Sequence, residues 1–268
     1  MRYCILDDRV AVEIKGIDAF SFLQSLITND LKLLETKDSI YSLFLNAQGR
    51  FLFDAFIIKR DEAFLLDINK ENSSIFLQKL NFYKLRSDVL LEIKDDMKII
   101  YTKEGPFDSF SYKDSRYKGL GYRGLLSINS IAGELEPELY LKDKYDYAIP
   151  DGFIDLLYEK TLPPEYNLDK LNAISYTKGC YMGQEVMSRA KYQGELRKQL
   201  YKLNFNDDAK LSLSDKEIYQ ENNKIGLVTS FWKNSAIGLI RKELVDIEKP
   251  AIIGSLESRL SIPEWIKE

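Results

Sequence analysis

The chain has 268 residues, 38 basic and 42 acidic side chains, a formal net charge of −4 and no histidine. The missing histidine excludes Ser-His-Asp and Cys-His nucleophile systems and histidine-built metal centres, so proton transfer near neutral pH falls to a carboxylate, lysine, tyrosine or cysteine with a shifted pKa. Net acidity argues against a direct nucleic-acid binder, no run approaches the ~20 apolar residues that cross a bilayer, and Arg2, Asp7, Asp8 and Arg9 replace the apolar core of a signal peptide; the expectation is a cytoplasmic monomer with no membrane partner.

In chain order, residues 10–14 alternate as a strand that Gly16 ends. Asp18 is a candidate N-cap for a helix to about Thr28, with Phe22, Leu23, Leu26 and Ile27 on one face and Asn29-Asp30 as its stop. Residues 41–45 and 51–58 are apolar, aromatic-rich runs joined by Asn46-Ala47-Gln48-Gly49-Arg50, a β-hairpin signal. A third strand covers 63–68, Ser73 or Ser74 caps a helix to about Phe82, and 89–93 and 98–101 read as strands. Residues 102–125, rich in Gly, Ser, Asp and Tyr, read as loop, and 134–144 as a helix with Pro137 in its first turn. From Lys198 onward the short runs 200–205, 217–219, 225–231 and 236–241 read as a small all-β sandwich or barrel. The pattern is α+β, with residues 1–197 in two lobes divided near 102–125, and 198–268 as the β module.

Three places invite a chemical reading. Gly119-Leu120-Gly121-Tyr122-Arg123-Gly124 matches a dinucleotide fingerprint, but no strand pattern precedes it, so a glycine loop is the better reading. Asp54 interrupts an apolar strand and shares a face with Leu52 and Phe56. A carboxylate there either points to solvent or is satisfied or used by something specific. In Lys178-Gly179-Cys180-Tyr181-Met182-Gly183-Gln184-Glu185, two glycines bracket a cysteine two residues after a lysine, and a helix can begin at Gln184. A neighbouring ammonium and a helix N-terminus would favour a thiolate at Cys180; the plain alternative is a buried cysteine at a loop-to-helix junction. Residues 178–202 hold six basic side chains (Lys178, Arg189, Lys191, Arg197, Lys198, Lys202) against Glu185 and Glu195, with Tyr181, Tyr192 and Tyr201 interleaved. That mixture suits a planar anionic ligand, and equally a solvated basic helix. The other cysteine, Cys4, is distant in sequence, and two cysteines with no CxxC fit a reducing compartment and no zinc site.

The 178–185 segment resembles the K-G-C-[Y/F]-x-G-Q-E signature of the YgfZ-type folate-binding proteins, relatives of the T-protein (aminomethyltransferase) of the glycine cleavage system. Phe22-Leu23-Gln24-Ser25-Leu26-Ile27-Thr28-Asn29-Asp30 is similar to that family's F-L-Q-x-x-L-T-N-D, and Leu45-Asn46-Ala47-Gln48-Gly49-Arg50-Phe51-Leu52-Phe53-Asp54 to its L-N-x-Q-G-R-x-x-x-D hairpin. Further matches follow in order, through Gly121-Tyr122-Arg123 and Leu162-Pro163-Pro164-Glu165-Tyr166-Asn167 to Gly238-Leu239-Ile240-Arg241, across nearly the whole chain.

The resemblance implies a three-lobed α+β ring with a C-terminal β-barrel. It implies tetrahydrofolate or a one-carbon derivative in the opening, and support of iron–sulfur clusters in client enzymes, tRNA-modifying ones included. It places Asp54 beside the reacting nitrogens of folate and makes Cys180, with Lys178, the reactive group. Asn29, Arg50, Asp54, Asp146, Lys178, Tyr181, Gln184 and Glu185 become the expected folate contacts, and iron–sulfur client or assembly proteins the expected partners. The T-protein's second acid after the aspartate is Ala55 here, and its pterin-holding glutamate falls at the shorter Asp146. Classical glycine cleavage is therefore not expected, and folate-dependent aminomethyl or one-carbon transfer, with Asp54 as acid or base, is the alternative.

Overall fold

The hairpin announced by 41–58 forms the centre of the first sheet. The computed structural model describes residues 1–108, 110–127, 133–194, 196–206 and 216–267. Strands β3 (Ile40–Leu45) and β4 (Phe51–Arg60) pair antiparallel across a turn in which Gly49 takes φ +70° and donates its N–H to the Asn46 carbonyl at 2.9 Å. They continue into β5 (Ala63–Asn69), β2 (Arg9–Lys15) and β6 (Leu90–Lys94), in the order β3-β4-β5-β2-β6. Phe53, Ala55 and Ile57 of β4 share a core with Leu23 and Leu26 of α1 (Ala19–Leu26) and Phe76 and Leu80 of α2 (Ser73–Lys84). Phe51, Phe56 and Ile58 face a second core common to the rest of the chain. Burial on both faces explains why this strand reads as an almost unbroken apolar run. Asp18 does precede α1, but its carboxylate accepts the N–H of Asp88 at 2.8 Å, tying the helix start to the approach of β6. The residue before α2 is Asn72 rather than either serine.

The second sheet has the order β10-β1-β7-β9-β8, from β10 (Glu134–Leu135), β1 (Arg2–Ile5), β7 (Met97–Thr102), β9 (Tyr122–Ser127) and β8 (Ser111–Lys113). The chain thus begins in the second sheet, forms the first, and returns at the turn between β6 and β7. Two strands occupy part of the stretch read as loop. Their pattern is obscured because Arg123 of β9 points inward as a buried ion, where a period-two reading expects an apolar residue. Gly119 and Gly121 lead into β9, which contains Gly124, where a dinucleotide turn would lead into a helix.

Helix α3 (Leu139–Tyr147) begins just past Pro137, and Ala148 ends it at φ +52°. After a mostly irregular connection and α4 (Gln184–Tyr192), the chain forms a closed barrel, β11-β14-β13-β12-β15-β16. Its strands are β11 (Lys198–Phe205), β12 (Glu217–Gln220), β13 (Asn223–Trp232), β14 (Ser235–Arg241), β15 (Ala251–Ile253) and β16 (Leu256–Ser261). Leu203, Ile218, Ile225, Ile240 and Ile253 fill the barrel interior. The last two strands escape a sequence reading because they are short and, in β16, carry Glu257, Ser258 and Arg259. A final helical turn, α5 (Glu264–Lys267), brings Trp265 back to the shared core, where its indole N–H donates to the Tyr147 carbonyl at 2.8 Å. Among the described residues no helix is long and apolar enough to cross a membrane.

Candidate functional site

Three segments singled out by motif meet at one place. Lys178 directs its ammonium at the open end of α1, where the carbonyls of Gln24, Ile27 and Asn29 each accept a bond of 2.7 Å. Helix C-termini leave such carbonyls unpaired and carry partial negative charge, so the lysine completes α1 from across the sequence. Two backbone bonds stitch the same loop to the same helix end, Ser175 N–H to the Thr28 carbonyl at 2.9 Å and Met182 N–H to the Ser25 carbonyl at 3.2 Å. Gly183 starts α4 at φ +82°, and a Cβ there would stand 2.8 Å from the Asn46 carbonyl of the β3–β4 turn. Gly49 of that turn in its own right lies where a side chain would strike Val186 of α4. Pinned on both flanks, the loop leaves Gly179 and Cys180 exposed, and Cys180 is a free thiol.

The role expected of Lys178 is corrected by this geometry. All three of its ammonium protons go to carbonyls at and just beyond the end of α1, so none is left to hold a thiolate at Cys180. Burial pushes its pKa down to about 8, with Asp30 opposing, while the three carbonyls favour the charged form. Tyr181 is buried, not an exposed stacking surface; its ring lies 5.1 Å from the lysine Nζ, and burial raises its phenol to about 12. The basic character of 178–202 is mostly neutralised at close range. Arg189 pairs with Glu185 at 2.6 Å, Lys191 with Asp169 at 2.9 Å and Lys198 with Glu165 at 3.3 Å, and Lys202 donates to the Asp146 carbonyl. Glu195 lies outside the described residues. The solvated-helix reading of this segment fits the structure.

Behind the loop, where the two sheets and the barrel meet, nine charged side chains alternate in sign along one line. Asp54 pairs with Arg9 at 3.3 Å, Arg9 with Asp67 at 2.6 Å, and Asp67 with Arg123 at 2.7 Å. The line goes on through Asp114 (3.7 Å), Arg116 (2.7 Å), Asp151 (2.8 Å), Lys144 (3.1 Å) and Asp155 (2.9 Å). Its members come from β4, β2, β5, β9, α3 and the connections between them, and its far end accepts bonds from Thr229 and Ser230 of barrel strand β13. Burial works against the charge of Arg9, Arg123, Arg116 and Lys144, but the flanking carboxylates overcome it and hold all four above their ordinary pKa values. Only Asp54 of this line was singled out from the sequence as chemically special; the signal that existed for another was Arg123 inside Gly121-Tyr122-Arg123.

Several of the expected folate contacts are instead engaged within the protein. Asp54 is locked to Arg9 and to the Tyr41 hydroxyl. Asn29 donates to the carbonyls of Tyr41 and Asn172 and accepts the N–H of Asp30. Lys178 is engaged with α1. Arg50 donates to the Lys160 carbonyl, while Asp146 and Glu185 are exposed and Gln184 is half-buried at the head of α4. Clefts of about 920 Å³ and 730 Å³ lie elsewhere, at Glu13, Lys15 and Arg60 and at Asp18, Leu85 and Arg86. The residues present do not fit a reduced folate at Asp54.

Over 97% of this chain and 84% of the other, the structure superposes on the glycine cleavage system aminomethyltransferase T from Bartonella henselae with a TM-score of 0.77 at 16% sequence identity. The fold is the aminomethyltransferase fold. In sequence, the chain is 30% identical over 226 residues to the iron–sulfur cluster assembly factor IBA57 homolog, mitochondrial, of Mycosarcoma maydis, covering 74% of this chain and 55% of the other. It is 30% identical over 231 residues to the mouse mitochondrial iron–sulfur cluster assembly factor IBA57 (73% and 64%) and 30% identical over 237 residues to the human one (75% and 66%). The chain spans between about half and two thirds of the length of these curated relatives. No protein-family model matches it.

Proposed function

We propose that this chain supports the assembly or maintenance of iron–sulfur clusters in client enzymes, tRNA-modifying ones included, with Cys180 as the thiol that meets the cluster or its carrier. The observation that carries the reading is the exposed Cys180 at the apex of a loop pinned by Lys178, Ser175 and Met182 to the end of α1. A thiol is the preferred ligand for iron in such clusters, and holding it on a fixed loop lowers the ordering cost when a partner binds. The likeness to assembly factors supports the same reading. In this proposal the cluster is cargo, the partners are cluster carriers and client proteins, and two free thiols fit a reducing compartment such as the cytoplasm. Lys178 and the β3–β4 turn position the loop.

The one-carbon transferase reading needs Asp54 to reach a substrate, and its carboxylate is already bonded to Arg9 and Tyr41. For the same reason the expected tetrahydrofolate finds no free carboxylate at Asp54. The test is complementation: in cells lacking this protein, wild type should restore the activity of iron–sulfur enzymes and Cys180→Ser should not, at equal protein level and equal melting temperature. Full restoration by Cys180→Ser would remove the thiol from the mechanism.

A further inference from the structure

The carboxylate that the resemblance sets beside the nitrogens of folate already has a cation of its own. Asp54 is 1% exposed, and Nη1 of Arg9 lies 3.3 Å from both of its oxygens. The Tyr41 hydroxyl donates to Oδ2 at 3.3 Å, and the backbone of Gly152 closes another side, since a Cβ there would come within 2.2 Å of Oδ1. Nor is Arg9 free to swing out. Its Nε donates to Asp67 Oδ1 at 2.6 Å, its Nη2 to the Asp67 backbone carbonyl at 2.7 Å, and its guanidinium lies 5.8 Å from the centroid of the Phe56 ring. Asp67 is in turn clamped by Arg123 and the Tyr112 hydroxyl. Freeing Asp54 for a ligand would strip a buried guanidinium of one carboxylate and disturb every alternating pair beyond it, and an unpaired buried charge is among the most expensive features a fold can hold.

We infer that Arg9 stands, on Asp54, where the nitrogens of a reduced folate would stand, and that this chain therefore binds no reduced folate. The inference goes beyond the cluster reading and does not rest on it. Asn29 and Lys178, expected to help hold the ligand, have their hydrogen bonds filled from within the protein. Asp146, at the position of a pterin-holding acid, is exposed, and its backbone carbonyl accepts from Lys202. In this chain the charged side chains around Asp54 form an ionic joint between the two sheets and the barrel.

The test is direct titration of the full chain with 5-formyltetrahydrofolate, a stable reduced folate, by calorimetry and by thermal shift, with a glycine cleavage aminomethyltransferase as positive control. Expected are no saturable heat and no rise in melting temperature at about 1 mM ligand, a concentration at which a site of about 10 μM affinity would stabilise the fold measurably. Saturable binding by the wild-type chain overturns the inference. If Asp54→Asn abolishes such binding, the ring holds the folate despite Arg9; if Asp54→Asn leaves it intact, the ligand sits elsewhere, and in both cases the chain binds folate after all. The wild-type titration decides even where the variant fails to fold. It reads no cluster chemistry, so failure of the Cys180 proposal leaves its outcome untouched.

Discussion

Replacing Arg116 with methionine should remove a large part of the stability of this protein. The Arg116 side chain is fully buried and sits in the middle of the alternating line. Its Nε and Nη2 donate to the two oxygens of Asp114 at 3.0 and 2.7 Å, its Nη1 to Asp151 at 2.8 Å, and its Nη2 also to the Tyr140 hydroxyl at 2.9 Å. Methionine keeps much of the apolar stem and removes the charge. Asp114 is then left with Arg123 at 3.7 Å, and Asp151 with Lys144 at 3.1 Å. Removing one partner of a buried pair costs about 3–5 kcal/mol, and the cation retained by each carboxylate puts this case nearer 3 than 5. Against a total of roughly 5–15 kcal/mol for a folded domain, that is a substantial fraction. With about 2–4 °C per kcal/mol for chains somewhat shorter than this one, the melting temperature should fall by roughly 6–12 °C. Urea and thermal unfolding at pH 7, followed by circular dichroism, measure it. Adding Asp114→Leu to Arg116→Met should recover part of the loss, because an apolar pair needs no counter-ion. A single variant that loses less than about 1 kcal/mol, as an exposed pair would, refutes the placement of these charges in the interior.

Three other outcomes follow from the same structure. Burial works to raise Asp67 and Asp151, but Arg123 and Arg9 beside the first, and Lys144 and Arg116 beside the second, hold both below the usual carboxylate range; their stabilisation is present above the unfolded-state pKa and lost as pH falls from there through the lower folded-state one, so stability should fall progressively below about pH 4, and an acid titration of ellipticity flat from pH 4 to 2 would count against it. Cys4 is 1% exposed and burial pushes its thiol up to about 11, whereas Cys180 is exposed; iodoacetamide at pH 8 should modify one thiol in the native protein and the second only after denaturation, with mass spectrometry of the peptides as the check. Lys178→Met leaves three carbonyls at and just beyond the end of α1 without their donor, which should cost about 2–3 kcal/mol and speed amide exchange across 23–30 and 175–182; unchanged exchange there would mean that the lysine does not hold the loop.

Much of the chain is legible locally. Hairpin β3–β4, helices α1 and α4 and most of the barrel follow from runs, periods and turn residues that lie next to each other in sequence, and the ordered family motifs announce the fold. Strands β8 and β9 are not legible, because Tyr122-Arg123-Gly124 shows no alternation when an arginine faces inward. The carboxylate at Asp54 is correctly marked as anomalous by its apolar neighbours, yet its partner, 45 residues earlier at Arg9, carries no mark at all. The pairing of Lys178 with Cys180, two residues apart, looks natural in sequence and fails because carbonyls about 150 residues away accept the lysine first.

Composition by itself determined that no histidine serves here, and local pattern determined where the hairpin, the first helix and the glycine-bracketed cysteine lie. Tertiary structure alone decided which charges meet, that Asp54 answers to Arg9 and that Cys180 remains outside while Lys178 is drawn in. Periodicity reports which face of an element is apolar, because that depends on neighbours along the chain. The partner of a buried charge depends on how separate elements stack, and it is chosen by the desolvation cost that only the assembled core imposes.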